Sequence, residues 1–185
     1  MVSKKELIIK VAHKVLTQDG GSSFSMRKVA VESSMSLGNL QYYFKTKSDL
    51  IHGILEKYLV TYQTELKIYL DHCNKGQRGL EEFINNILID IINDDDNFFI
   101  ALFSFAELKG IDSSLKLFYE ELYKILKEAI KIISDIKCIT VKLNRATSLL
   151  LPYFEGFDSL STYVKIDSEG IAKVLADTVW SLLGE

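Results

Sequence analysis

Between Ser34 and Leu50 the chain reads SMSLGNLQYYFKTKSDL, a run of hydroxyls, carboxamides, three consecutive aromatics and two lysines. Carboxamides such as those of Asn39 and Gln41 match the N6/N7 edge of adenine, and Gly38 lets a backbone approach another surface closely. Tyr42, Tyr43, Lys45 and Lys47 suit phosphate oxygens, as do Ser25, Arg27 and Lys28 just upstream. Other chemistries find weaker support. His13, His52 and His72 are scattered, and no Glu-x-x-His pair of a di-metal carboxylate bundle occurs. The acidic run before Phe98 and Phe99 (Asp94, Asp95, Asp96) fits the start of a helix, whose dipole favours acids, better than a metal site. Cys73 and Cys138 are far apart and read as reduced thiols. Spacing singles out no glycine-rich phosphate loop and no nucleophile–base pair. Neither catalysis nor a cofactor nor a metal is expected.

The elements that must position these residues are helices. One proline in 185 residues, 48% apolar and 25% charged composition, and abundant Leu, Ile, Lys and Glu point to an all-α protein. Leu7, Ile8, Val11, Ala12, Val15 and Leu16 recur at the spacing of one helix face, closed near Gly20-Gly21. Ser25 is a candidate N-cap for a short second helix burying Met26, Val29 and Ala30. After the break SSMS, Ser36 can cap a third short helix. At about 100° per residue, Leu37, Leu40 and Phe44 form its inward stripe, Tyr42 points the opposite way, and Tyr43 and Gln41 lie on the flanks. Thr46 and Asp49 form a capping-box-like pair for a fourth helix. That helix continues through Leu50, Ile51, Ile54, Leu55, Tyr58, Leu59 and Tyr62 to about Asp71. Gly76 and Gly79 bracket a break. Helical patterns resume in LEEFINNILIDII, FFIALFSFAELKG, SSLKLFYEELYKILKEAIKIISDI, a segment from about Thr140 to Tyr163, and a last helix from about Asp167 to Leu183.

Charge separates the two ends of the chain. Residues 1–50 carry +4 and the remainder −7, so a basic head joins an acidic body and the head alone suits a polyanion. Lys47, in the first turn of the fourth helix, faces the positive end of the helix dipole, an unfavourable place that a docked anion would reverse. No apolar run approaches the ~18 residues of a membrane span, and the basic, amphipathic first residues lack a cleavage pattern, so a cytoplasmic protein without membrane contact is expected.

A short second helix, a tight break and a polar-faced third helix make a helix-turn-helix arrangement, whose third helix enters the DNA major groove. The stretch SLGNLQYYFKTKSDL resembles the signature of TetR-type transcriptional regulators, and SFSMRKVAVESSMS is similar to the family's second helix and turn. The likeness covers residues 4–64 and extends more loosely to the C-terminus through FFIALFSFAELKG, LLLPYFEGFDSL and IAKVLADTVWSLL. Three positions depart from the pattern: Gln41 replaces the usual tyrosine, Ser34 the common turn glycine, and Leu37 a frequently polar or basic residue.

The resemblance implies an all-α homodimer of about nine helices. Its helix-turn-helix DNA-binding head would span 1–47, and a helical ligand-binding and dimerisation body 48–185. Operator DNA would be met by Ser25, Arg27, Lys28, Ser36, Leu37, Gly38, Asn39, Gln41, Tyr42, Tyr43, Lys45 and Lys47. In the body, Leu149, Leu150 and Phe154 share one broad apolar face, and Ile171, Val174, Leu175, Thr178 and Leu182 another; together they are the expected dimer interface. Tyr62, Phe99, Phe103, Glu107, Tyr123, Tyr153 and Phe157 are the candidate pocket for an unidentified small-molecule effector. The function expected is that of a ligand-released repressor. The alternative is a helical dimeric interaction module without specific DNA binding.

Overall fold

The computed structural model describes residues 3–19, 23–93, 112–137, 140–161 and 167–184. Eight α-helices and no strand occur among them: α1 (Lys4–Asp19), α2 (Met26–Glu32), α3 (Leu37–Tyr43), α4 (Lys47–His72), α5 (Gly76–Asn93), α6 (Asp112–Ser134), α7 (Thr140–Ser161) and α8 (Ser168–Gly184). The pattern FFIALFSFAELKG, the acidic run at Asp94 and the candidates Phe99, Phe103 and Glu107 lie outside the described residues, as does Cys138. The chain divides into two compact units, Met1–Thr61 with Asp95–Glu120, and Tyr62–Asp94 with Glu121–Glu185.

In the first unit, local chemistry sets each helix boundary. Ser3 and Glu6 form a reciprocal capping box at α1: the Ser3 N–H donates to Glu6 Oε2 at 2.7 Å and the Glu6 N–H to Ser3 Oγ at 3.1 Å. The spacing S-x-x-E announces it. Ser25 and Ser36 cap α2 and α3, accepting from the Lys28 N–H at 3.3 Å and the Asn39 N–H at 3.2 Å. The α1 face differs by one position from the sequence expectation. Leu7 is exposed and Ile9 buried, because the buried arc centres on Ile8, Ala12, Val15 and Leu16.

Between α2 and α3 the chain turns through Ser34 at φ +55°. The Ser34 N–H donates to the Val31 carbonyl and the Met35 N–H to the Ala30 carbonyl, each at 2.9 Å. These two bonds are those of a Schellman helix end, with serine at the left-handed position that glycine prefers.

The second unit packs α5, α6, α7 and α8 around Leu80, Ile84, Leu88, Ile130, Ala146 and Ala176. Gly76, at φ +75°, begins α5. Gly79, expected to bracket the break with Gly76, is instead inside α5, where a side chain would collide with the Asn74 backbone carbonyl. The break itself is Cys73–Lys75. Pro152 lies inside α7 on its exposed side.

Candidate nucleic-acid interface

The three rings at the end of α3 have three environments. Phe44 is buried, Tyr43 half-buried, and Tyr42 83% exposed. Phe44 caps the C-terminus of α3, its N–H donating to the Leu40 carbonyl at 3.0 Å. A Cβ placed on Gly53 of α4 would lie 3.0 Å from the Phe44 ring and 3.4 Å from Ile9 of α1. Glycine in a helix interior costs about 1 kcal/mol relative to alanine. Here it gives the Phe44 ring room against α4 and fixes the orientation of α3. Leu40 is the second buried anchor, whereas Leu37, in the same stripe, remains half-buried.

With Leu40 and Phe44 inward, the outward face of α3 carries Gly38, Asn39, Gln41 and Tyr42, all exposed. A Cβ on Gly38 would meet no atom of the described residues within 4 Å beyond its own helical turns, so packing among them does not require glycine there. The Tyr42 ring sits edge-on to Tyr43, with centroids 5.2 Å apart, which steadies an otherwise solvated aromatic.

The cationic candidates lie on the elements that adjoin α3 in the chain, not on α3 itself. Arg27 is exposed and Lys28 half-buried in the first turn of α2, whose cap is the exposed Ser25. Lys45 is exposed in the link to α4. The link is held by a complete capping box: the Asp49 N–H donates to Thr46 Oγ1 at 3.1 Å and the Thr46 N–H to Asp49 Oδ2 at 2.9 Å. Lys47 is the first residue of α4, half-buried, with Nζ 5.3 Å from the Phe24 ring centroid. Burial lowers the pKa of its ammonium, since desolvation disfavours the charged form. A neighbouring phosphate would act in the opposite sense.

Also in the first unit, His13 Nε2 of α1 lies 2.6 Å from the Tyr58 hydroxyl of α4. Sequence spacing gave no sign of this pair, which joins residues 45 positions apart.

The candidate residues in the body are distributed differently. Tyr153 and Phe157 stack within α7 with centroids 6.1 Å apart. The Tyr123 hydroxyl donates to the Asn144 carbonyl at 3.0 Å, tying α6 to α7, and Tyr62 is half-buried on α4. A groove of about 400 Å³ runs between α4 and α6, lined by Leu66, Leu70, Ile125, Ala129 and Ile132, with Lys67, Asp71 and Glu128 among its polar residues. Tyr62, Tyr123, Tyr153 and Phe157 do not line it.

The residues of the expected dimer face differ in exposure. Leu150, Phe154 and Leu175 are only 0%, 7% and 8% exposed in the single chain, so they are consumed by its own core. Val174, Thr178 and Leu149 are exposed, and Ile171 and Leu182 lie half-buried. Among the described residues no group of three or more His, Cys, Asp or Glu is placed to hold a metal ion, and no helix is long and apolar enough to cross a membrane.

A short capped helix held by two inward anchors, with an exposed carboxamide and aromatic face and cations on the adjoining elements, defines a helix-turn-helix DNA-binding protein. Residues 8–54 match the family described as bacterial regulatory proteins, tetR family. Over 188 aligned residues the chain is 27% identical to an uncharacterised HTH-type transcriptional regulator of Xanthobacter autotrophicus, covering 96% of this chain and 89% of the relative. The fold matches a transcriptional regulator of Pseudomonas aeruginosa with a TM-score of 0.76 at 15% identity, over 96% of this chain and 90% of that one. It also matches the regulator FadR of Bacillus subtilis in complex with stearoyl-CoA, with a TM-score of 0.70 at 15% identity, over 95% and 97% of the two chains. Residues 8–54 thus belong to the tetR family of bacterial regulatory proteins, and the chain as a whole is similar to HTH-type transcriptional regulators.

Proposed function

We propose that this chain represses transcription in the cytoplasm as a homodimer that a small molecule releases from its operator. The observation that carries the DNA reading is the outward face of α3, where Gly38, Asn39, Gln41 and Tyr42 stand exposed on a helix fixed by Phe44 against Gly53. Asn39 and Gln41 read base edges in the major groove. Ser25, Arg27, Lys28, Tyr43, Lys45 and Lys47 hold phosphates, and Ser36 and Leu37 bring the start of α3 to the groove. Lys47 and the start of α4 converge on one phosphate, relieving the unfavourable position of that ammonium.

The dimer forms through α7 and α8. Val174 is 64% exposed on α8, Val141 and Leu149 are exposed on α7, and a Cβ on Gly156 would meet no atom of the described residues within 4 Å beyond its own helical turns. A mid-helix glycine with open space around it and a row of exposed aliphatics both suit close approach by a second copy. Two-fold symmetry then places two α3 helices about 34–36 Å apart, one turn of DNA.

The effector binds in the second unit. Tyr62, Tyr123, Tyr153 and Phe157 are the candidate lining there, and an apolar ligand with a polar part suits them. The neighbour that holds stearoyl-CoA supports such a ligand class. Release requires the ligand to favour one spacing of the heads over the other; α4, shared by both units, is the proposed lever. The proposed activity is regulation rather than turnover.

Fluorescence anisotropy against the DNA flanking the protein's own gene tests this reading. Tight binding there and weak binding to a scrambled duplex is the expected result. Weak, equal binding to both would leave only the interaction-module alternative. Lys47→Ala should weaken both complexes about equally and flatten the salt dependence by roughly one phosphate contact.

A further inference from the structure

The reading helix α3 contains neither an acid nor a base. Its exposed side chains end in carboxamides at Asn39 and Gln41 and in a phenol at Tyr42, while Leu37 shows part of an isobutyl group at the start of the helix. Among the described residues, neither carboxamide is engaged by the chain itself; the Asn39 backbone N–H, not its side chain, makes the bond to Ser36. Both amides therefore remain available to an outside partner.

The major-groove edges of the four bases ask for different groups. Guanine O6 and N7 are best met by the fork of an arginine or by a lysine, and cytosine N4 by a carboxylate. Adenine N6 and N7 are met bidentately by Asn or Gln, and the thymine methyl by an apolar surface. Helix α3 offers the second pair of chemistries and not the first. The cations nearby are on other elements: Arg27 and Lys28 on α2, Lys45 beyond the end of α3, and Lys47 on α4 over the Phe24 ring. Cations on these adjoining elements suit the sugar–phosphate walls rather than the base edges.

We propose that the base pairs contacted by α3 in each operator half-site are A·T pairs, with Asn39 and Gln41 on adenines and Leu37 and Tyr42 against thymine methyls. This rests on the DNA-binding function proposed above and specifies the class of sequence that function reads. It also gives the three departures at Ser34, Leu37 and Gln41 different weights. Leu37 and Gln41 change what is read, whereas Ser34 changes only how the helix is held.

The test is selection by the full-length protein from a pool of random duplexes, followed by sequencing. The expected consensus is an inverted repeat with a contiguous A·T block in each half-site. Replacing one of its A·T pairs by G·C should lower affinity about tenfold or more. Asn39→Arg should move one position of the block to guanine, and Gln41→Ala should relax another. Guanine or cytosine at the α3 positions of the wild-type consensus would overturn the proposal while leaving specific DNA binding intact. An A·T block indifferent to both substitutions would also overturn it, because groove shape rather than these side chains would then be read. A pool that does not enrich at all would overturn the DNA-binding function itself.

Discussion

Replacing Ser34 with glycine should stabilise the head. Ser34 occupies the left-handed position of the Schellman end of α2, at φ +55°, and its N–H and that of Met35 close the turn onto Val31 and Ala30. A residue with a Cβ pays roughly 1–2 kcal/mol in that conformation. Glycine removes this strain but leaves the unfolded chain freer, which takes back about 0.4–1 kcal/mol. The net expectation is a gain of about 0.5–1 kcal/mol, or a few degrees in the melting midpoint for a chain of this size. Ser34→Val is the complementary variant, since a β-branched side chain tolerates positive φ poorly, and it should lose at least as much as glycine gains. Urea denaturation of the full chain, followed by circular dichroism, measures both. Operator affinity should hold for Ser34→Gly, because no atom of α3 changes. If Ser34→Gly lowered the midpoint and Ser34→Val left it unchanged, the strain argument would be refuted.

Other outcomes follow from single contacts. Thr46→Ala and Asp49→Ala should each cost about 1 kcal/mol, and the double variant less than their sum, since the two side chains form one reciprocal box; urea midpoints of all three decide it. Gly79→Ala should destabilise the body by about 1–3 kcal/mol through collision with the Asn74 carbonyl, whereas Gly38→Ala, with open space, should cost no stability and act on DNA affinity alone. Burial, followed by the charges of Cys73 and Glu82, raises the Tyr69 hydroxyl to about 12. The unfolded chain therefore gives up that proton first, near 10, and stability present below pH 10 is lost as pH rises toward 12; Tyr69→Phe should remove that part of the alkaline decline. Val174→Asp should convert the proposed dimer to monomer in sedimentation experiments while leaving the helical content intact, because the side chain is outside the chain's own core.

The head was more legible in sequence than the body, for reasons of chemistry. Ser25, Ser36, Thr46 and Asp49 act on backbone groups three residues away, so their roles are written locally and the structure places each hydrogen bond there. The inward turn of Leu40 and Phe44 followed from helical periodicity alone. Gly53 did not: its purpose depends on Phe44 and Ile9 arriving from two other helices. The same limitation governs α7 and α8. Their apolar residues recur all around the helix, and periodicity cannot say that Leu150, Phe154 and Leu175 face the chain's own core while Leu149 and Val174 face out. Gly79 was misplaced because a glycine that ends a helix and one that admits a neighbouring carbonyl look identical in sequence.

The exposed face of α3 is the surface proposed to read DNA sequence. The most direct measurement is the ratio of affinities for the operator duplex and a scrambled duplex, for the wild type and for an Asn39→Ala, Gln41→Ala double variant at one fixed salt concentration. The variant should lose affinity for the operator by about tenfold or more and keep its affinity for scrambled DNA, since the cations proposed to hold phosphates are untouched. Equal losses on both duplexes, or no loss on either, would contradict it.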